Sequence, residues 1–148
     1  MTNNAYASWI HGSAMQIEFP ENLASVKRAG WGITVSSKSG MSNVFHFPIP
    51  TPVIINDQRL KVGSVMLQFT TGSGDAVVRK IIINDGKNLL KSYENVNLSG
   101  KVGWKRFDVP NHPSAQLGID IIVHVRFGVE SSDHSMTFEA AGCDFLPP

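Results

Sequence analysis

Charge is scarce in this chain. Asp, Glu, Lys and Arg make up 17% of its 148 residues, against the roughly 25% usual for globular domains. Thirteen Lys plus Arg stand against twelve Asp plus Glu, a formal net charge of +1, so no global field draws in nucleic acid or an anionic membrane, and neither is expected as a partner. Cysteine occurs once, at Cys143, which excludes an intramolecular disulfide framework and a zinc site built on several thiolates. Long hydrophobic runs are missing too. The stretch from Ile119 to Val125 is interrupted by Asp120 and His124 and falls far short of the ~20 apolar residues of a membrane helix. Met1 to Tyr6 is polar, with no Lys or Arg ahead of an apolar run, so no secretory signal is read and the cytoplasm is the expected compartment, export by another route being left open. Asn97-Leu98-Ser99 matches a glycosylation sequon, which without such a signal reads as a polar stretch near a turn.

What is present is 42% hydrophobic residues on a chain sized for one domain spanning 1–148, enough to hide roughly two-thirds of the extended-chain surface. Their spacing is that of strands. Trp9, His11, Ser13, Met15, Ile17 and Phe19 alternate with Gln16 and Glu18 on the other side, the pattern of a half-buried strand. Leu23 to Ala29 reads as a strand rather than a short helix closed by Gly30, and Trp31, Ile33 and Val35 alternate after it. Phe45, Phe47 and Ile49 share a face and run into Pro48-Ile49-Pro50-Thr51-Pro52, which belongs at a sheet edge or a crossing because proline cannot donate to a ladder. Asn56-Asp57-Gln58 and Asn84-Asp85-Gly86 read as hairpin turns. In Val77 to Ile83 the inward face is ambiguous, since Ile81 with Ile83 and Val78 with Ile82 are all apolar. Odd positions from Ile119 to Val129 line one face, and Met136, Phe138 and Ala140 continue the core on the next strand. If those two strands form a hairpin, matched core faces set Arg126 opposite Glu139. About eight strands, no long helix and no internal repeat predict an all-β fold, a single antiparallel β-sandwich of jelly-roll type.

Trp9-Ile10-His11-Gly12, the run from Phe45 to Ile54, Val109-Pro110-Asn111-His112-Pro113 and Ala140 to Phe145 resemble the marker segments of an uncharacterised family of small bacterial proteins. The resemblance spans nearly the whole chain, its proline-rich segment being the most specific part. It implies a stand-alone domain and lends no catalytic residue.

The chemical constellations are sparse. Five histidines raise a metal site, but no His-x-His with a downstream carboxylate and no His-Glu-x-x-His occurs. His124, Glu130 and His134 in a hairpin would hold the two rings on the order of 20 Å apart. No metal or other cofactor is therefore expected. Cys143 among small residues reads as a buried small hydrophobe, and neither a Gly-x-Ser-x-Gly elbow nor a phosphate-cradling loop is present. Binding asks for less: a sugar is apolar on its ring faces and polar at its rim, so one flat aromatic ring with amide, carboxylate and imidazole neighbours suffices. Trp104, after Gly103 and beside the basic cluster Lys101, Lys105 and Arg106, is the first candidate platform. Trp9 beside His11, and Trp31 between Gly30 and Gly32, come second, each having core or edge packing as its plain alternative. Asp108, Asn111 and His112 belong to a proline-stiffened loop that presents polar side chains or simply makes a turn. The expectation is a non-catalytic, lectin-like module that binds a glycan or small molecule through Trp104, Asp108, Asn111, His112, Trp9, His11 and His46. Its rivals are a cyclase- or isomerase-type enzyme built on His11, His46 and His112, and a self-assembling homo-oligomer using an edge near Pro48 to Pro52.

Overall fold

The computed structural model describes residues 4–148. Thirteen strand segments follow in order: β1 (Tyr6–His11), β2 (Gln16–Ile17), β3 (Leu23–Ala29), β4 (Gly32–Ser37), β5 (Ser42–Ile49), β6 (Ile54–Ile55), β7 (Gln58–Arg59), β8 (Lys61–Thr71), β9 (Ala76–Asp85), β10 (Asn88–Tyr93), β11 (Lys101–Asp108), β12 (Ile119–Phe127) and β13 (Ser135–Leu146). The front sheet has the order β11-β8-β13-β4-β3, with β1 also paired to β13; the back sheet has the order β10-β9-β12-β5-β2. All the pairings are antiparallel. The fold is an antiparallel β-sandwich, as its periodicity predicts, but with ten longer strands where about eight were expected and three further segments of two residues each.

The apolar alternation explains the two layers. Ile119, Ile121, Val123, Val125 and Phe127 on β12 are all buried, as are Phe45 and Phe47 on β5. From the front sheet Phe138 meets Phe45 at 5.3 Å, Phe47 at 5.2 Å and Phe69 at 5.9 Å between ring centroids, so one ring joins both sheets. Truncating such a buried phenylalanine costs about 3–5 kcal/mol. The hairpin expected between β12 and β13 does not form. These strands lie in opposite sheets, and their apolar faces meet across the core rather than side by side. Arg126 pairs in register with Ser42 and Val77, while Glu139 accepts a hydrogen bond from Gln68. Val129, expected on the inner face, lies beyond the end of β12 and is exposed. The first alternating run is also split: β1 joins the front sheet, a 3-10 turn at Gly12–Ala14 intervenes, and β2 joins the back sheet.

Among the β-bulges, two that shift the inside–outside phase within a strand shape the outer faces. On β13, Phe138 pairs with Phe69 and Ala140 with Gln68, leaving Glu139 as the extra residue. Met136 and Phe138 are buried before it, and Ala141, Cys143 and Phe145 after it. Ala140, expected in the core, therefore turns outward. On β9, His124 of β12 pairs with Lys80 and Val125 with Val78, so Arg79 is extra, and Val78 and Ile81 are both buried with two cations between them. This phase change is why no single inward face could be read from Val77 to Ile83. An added residue in one strand does this because side chains alternate with a period of two.

Hairpins follow their turn chemistry. Asn56 and Asp57 have φ of 53° and 62° between β6 and β7, the left-handed pair that a two-residue hairpin needs. The proline-rich run leaves β5 at Pro48, beyond the Phe45 and His46 positions that β2 pairs, so the missing N–H faces an open edge. Asp85, 1% exposed, closes β9. Its carboxylate accepts from the backbone N–H groups of Gln116, Leu117 and Gly118 at 2.7–2.9 Å and so fastens the loop that leads into β12. Replacing it with Ala strands three donors next to the core. Asp85→Ala is expected to destabilise by about 3 kcal/mol, lowering Tm by on the order of 10 °C, measurable by thermal melting followed by circular dichroism.

Candidate functional site

The outward phase of β13 creates a bed on the front sheet. Gly142 of β13 pairs with Trp9 of β1, and a Cβ on Gly142 would come within 2.4 Å of the indole, so glycine lets the ring lie across the strand. Trp104 stands on β11 opposite Gln68. The two indoles are near-parallel, 6.2 Å apart between centroids with a 22° interplanar angle. They remain 41% and 51% exposed, whereas large aromatic residues are mostly buried. Trp31, in the turn between β3 and β4, is 52% exposed and donates through Nε1 to Thr34 Oγ1, which itself hydrogen-bonds Thr137. All three tryptophans of the chain thus open on the same sheet face.

Polar groups are fixed around them. The Arg106 guanidinium lies 5.3 Å from the Trp104 ring centre, donates to Ser64 Oγ and reaches Asp144 Oδ2 at 3.1 Å. Asp144 is almost completely buried and also accepts from Ser64. A buried carboxylate of this kind is tolerated when charge and hydrogen bonds meet it, and here they hold Arg106 beside the tryptophan. Gln68 donates to Glu139 at 2.9 Å between β11 and β1, leaving amide and carboxylate groups beside the indoles. His11 donates from Nε2 to the Gly30 carbonyl and accepts at Nδ1 from the Ser13 N–H, tying the end of β1 to the Trp31 turn. Both of its ring nitrogens are thus engaged within the chain.

The other expected residues are dispersed. Asp108 lies on the outer face four residues past Trp104, about 13 Å along β11, opposite Ser64. Asn111 and His112 have φ of 64° and 39°, and the His112 N–H reaches the Val109 carbonyl. Pro110 followed by a left-handed Asn is the residue pair of a type II turn, so this segment is a turn at the end of the sandwich. His46 stands on the outer face of the back sheet between Asp120 at 2.8 Å and Glu18 at 2.7 Å. His11, His46 and His112 therefore occupy the front face, the back face and an end loop, and the acid-base group that an enzyme would build from them does not assemble. Cys143 is completely buried, and burial pushes its thiol pKa up, the reverse of what a nucleophile needs. Among the described residues no three His, Cys, Asp or Glu side chains gather into a metal-sized group. Sequence reading did not single out Asp144, Gln68 or Gly142. Gln68 faces outward by the plain alternation of β8 with Leu67 and Phe69, while the phase change that turns Gly142 and Asp144 outward leaves only a subtle trace, the out-of-step apolar positions Phe138 and Ala141.

A family model described as a family of unknown function (DUF6623) matches residues 4–146, and the chain belongs to that family. No curated protein matches it. Among solved structures it is similar to the low-affinity xylan-binding module CBM86 from Roseburia intestinalis, with a TM-score of 0.54 at 12% identity, covering 95% of this chain and 96% of that one. It is also similar to a family 35 carbohydrate-binding module from Clostridium thermocellum, with a TM-score of 0.51 at 12% identity and coverage of 94% and 98%. The xylan-binding module CBM15 gives a TM-score of 0.50 at 11% identity, with coverage of 98% and 92%. At these identities the likeness is one of fold.

Burial disfavours a charged His46, but hydrogen bonds and attraction from Asp120 and Glu18 outweigh it and raise the imidazole pKa above its ordinary 6.5. A raised value means that the folded state holds the proton more tightly, so the stabilisation is complete below the unfolded value and fades as pH climbs through the folded one. His46→Gln is expected to lower Tm most at about pH 5.5, with the deficit shrinking toward about pH 8.5. A deficit that stays constant across thermal melts in that window would rule out the ionic contribution.

Proposed function

We propose that this member of the family is a non-catalytic carbohydrate-binding module that lays sugar rings on the front-sheet aromatic strip. The observation that carries the reading is the Trp9–Trp104 pair, held near-parallel and about half open to solvent on a sheet face. An indole presents a flat apolar surface that matches the C–H face of a pyranose, and its neighbours supply the rim contacts. Arg106, Gln68 and Glu139 are such neighbours, already oriented by Asp144, Ser64 and each other. Preorganisation matters because ordering side chains on binding costs affinity. The strip lies on the rigid sheet rather than in a loop, so an extended saccharide could cross β11, β8, β13 and β1 without rearranging backbone. Support of a coarser kind comes from the neighbours of the same fold, two of which are named as xylan-binding.

Among the described residues no metal-sized group or assembled acid–base set accompanies the aromatic strip, which is why binding is favoured over turnover. The Trp31 end of the face, with Lys27 Nζ 5.1 Å from its ring centre, offers a second contact point for a longer chain.

A glycan array followed by isothermal titration calorimetry on the best polysaccharide tests this. Trp104→Ala is expected to weaken binding about 30-fold, the scale of a tryptophan hot spot near 2 kcal/mol. Trp9→Ala should give a similar loss, with melting curves recorded because this ring covers Gly142. Binding that survives both substitutions, or no glycan bound by the parent protein, sinks the proposal.

A further inference from the structure

The opposite face of the sandwich carries a cleft that the aromatic strip does not use. It encloses about 380 Å³, and Phe19, Ser42, Asn95 and His124 contribute to its walls together with Arg79, Lys80 and Arg126. That volume falls in the range of small-molecule sites. What distinguishes it is how the chain places its charge.

Arg79 is the extra residue of the β9 bulge, so Arg79 and Lys80, adjacent in sequence, both emerge on the outer face between buried Val78 and Ile81. In an unbroken strand one of the two would have pointed into the core. Arg126 comes from β12, in register with Val77, diagonal to Arg79 on the neighbouring strand. Three cations are thereby crowded on one wall in a chain whose formal net charge is only +1. Crowding like charges costs energy unless an anion answers them. The cleft supplies one carboxylate, Glu94, and it is taken: its Oε1 lies 3.3 Å from Lys80 Nζ and accepts from Ser92. Among the described residues, neither the Arg79 nor the Arg126 guanidinium pairs with a carboxylate. The same two arginines border a smaller depression of about 170 Å³ that includes Asp75. The Asp75 carboxylate is engaged elsewhere, accepting from the Ser131 N–H at 2.8 Å and lying 3.5 Å from His134 Nδ1.

We propose that this cleft is an oxyanion site, in which Arg79 and Arg126 receive the carboxylate or sulfate of a small ligand while Phe19 packs against its apolar part. A guanidinium is a planar fork of donors that suits the paired oxygens of such a group. Arginine keeps its charge at any physiological pH, so the site stays cationic. Bulges recur beside functional sites because they re-aim side chains, and here the bulge is what brings the second cation out. Within the cleft His124 has its pKa lowered, by burial first and by Lys80 next, so near neutral pH it serves as a hydrogen-bonding group and adds no further charge. The inference does not rest on the carbohydrate reading, since the two sites lie on opposite sheets.

Nuclear magnetic resonance titration of the full chain with glucuronate, glucose and inorganic sulfate tests the proposal. Glucuronate and sulfate are expected to shift the signals of Arg79, Arg126 and His124, with glucose leaving them in place. Raised salt should weaken the effect, as for any attraction between partly exposed charges. An Arg79→Gln, Arg126→Gln double variant should bind glucuronate at least tenfold more weakly while melting like the parent, because both side chains are exposed. Glucuronate binding tighter than sulfate supports the site with the sugar ring as part of its ligand; equal binding supports it for the bare oxyanion. Absence of shifts with either anion, or shifts that persist in the double variant, overturns it. Trp9→Ala with Trp104→Ala must leave the anion response unchanged, so failure of the front-face reading and failure of this one are told apart.

Discussion

The structure turns on the single extra residue at Glu139. β13 is the central strand of the front sheet, flanked by β8 along its length and by β4 and then β1 on its other side. Before Glu139 its even positions feed the core, and after it the odd positions do. Had the alternation run unbroken, Ala140, Gly142 and Asp144 would point inward. A carboxylate would then sit among phenylalanines at a cost no packing could offset. The bulge puts it instead where Arg106 and Ser64 can meet it, and sets Gly142 beneath Trp9.

Close packing at this junction limits what else can stand there. A Cβ on Gly32 would approach the Phe138 carbonyl oxygen to 2.1 Å, and the backbone there has φ of 137°, a conformation closed to ordinary side chains. β4 and the start of the 3-10 turn after β1 both close onto this carbonyl, where the sheet passes from one flanking strand to the next. His11, bonded to the Gly30 carbonyl, ties the same seam from outside. The Trp9 and Trp31 ends of the aromatic strip are therefore mounted beside this closely packed seam, and their placement follows from the packing beneath it.

Much of this was legible in the residues. The two-residue period predicts the sandwich, and Trp104, in a stretch too polar to be plainly core, stands exposed, as do Trp9 and Trp31, for which core or edge packing was the plain alternative. Asn56-Asp57 and Asn84-Asp85-Gly86 give the hairpins their chemistry suggests. What was hidden is long-range. Which strands share a sheet depends on faces meeting across the core, and a matched pair of apolar faces is as compatible with a hairpin as with two opposed layers; for β12 and β13 the layers won. The three histidines look alike in sequence, yet their partners, Gly30 for His11 and two carboxylates for His46, come from distant segments that no spacing rule could join.

The bulges were visible in a different way, as places where the pattern fails. Val78 and Ile81 cannot share a face at period two, nor can Phe138 and Ala141, yet all four are buried. Such a conflict between local pattern and global fold tends to mark function or strain, and in this chain each one throws a pair of polar or small residues onto an outer face. Net charge hides the consequence. A total of +1 abolishes the far field, but screening at physiological salt confines electrostatics to about 8 Å in any case. Over that distance the relevant sum is local: three cations against one engaged carboxylate in the back-face cleft, and Arg106 against the buried Asp144 beside Trp104 on the front. A near-neutral chain exerts little pull on a polyanion at long range, so the recognition proposed for each face is one of contact range, set by the side chains that the bulges turn outward.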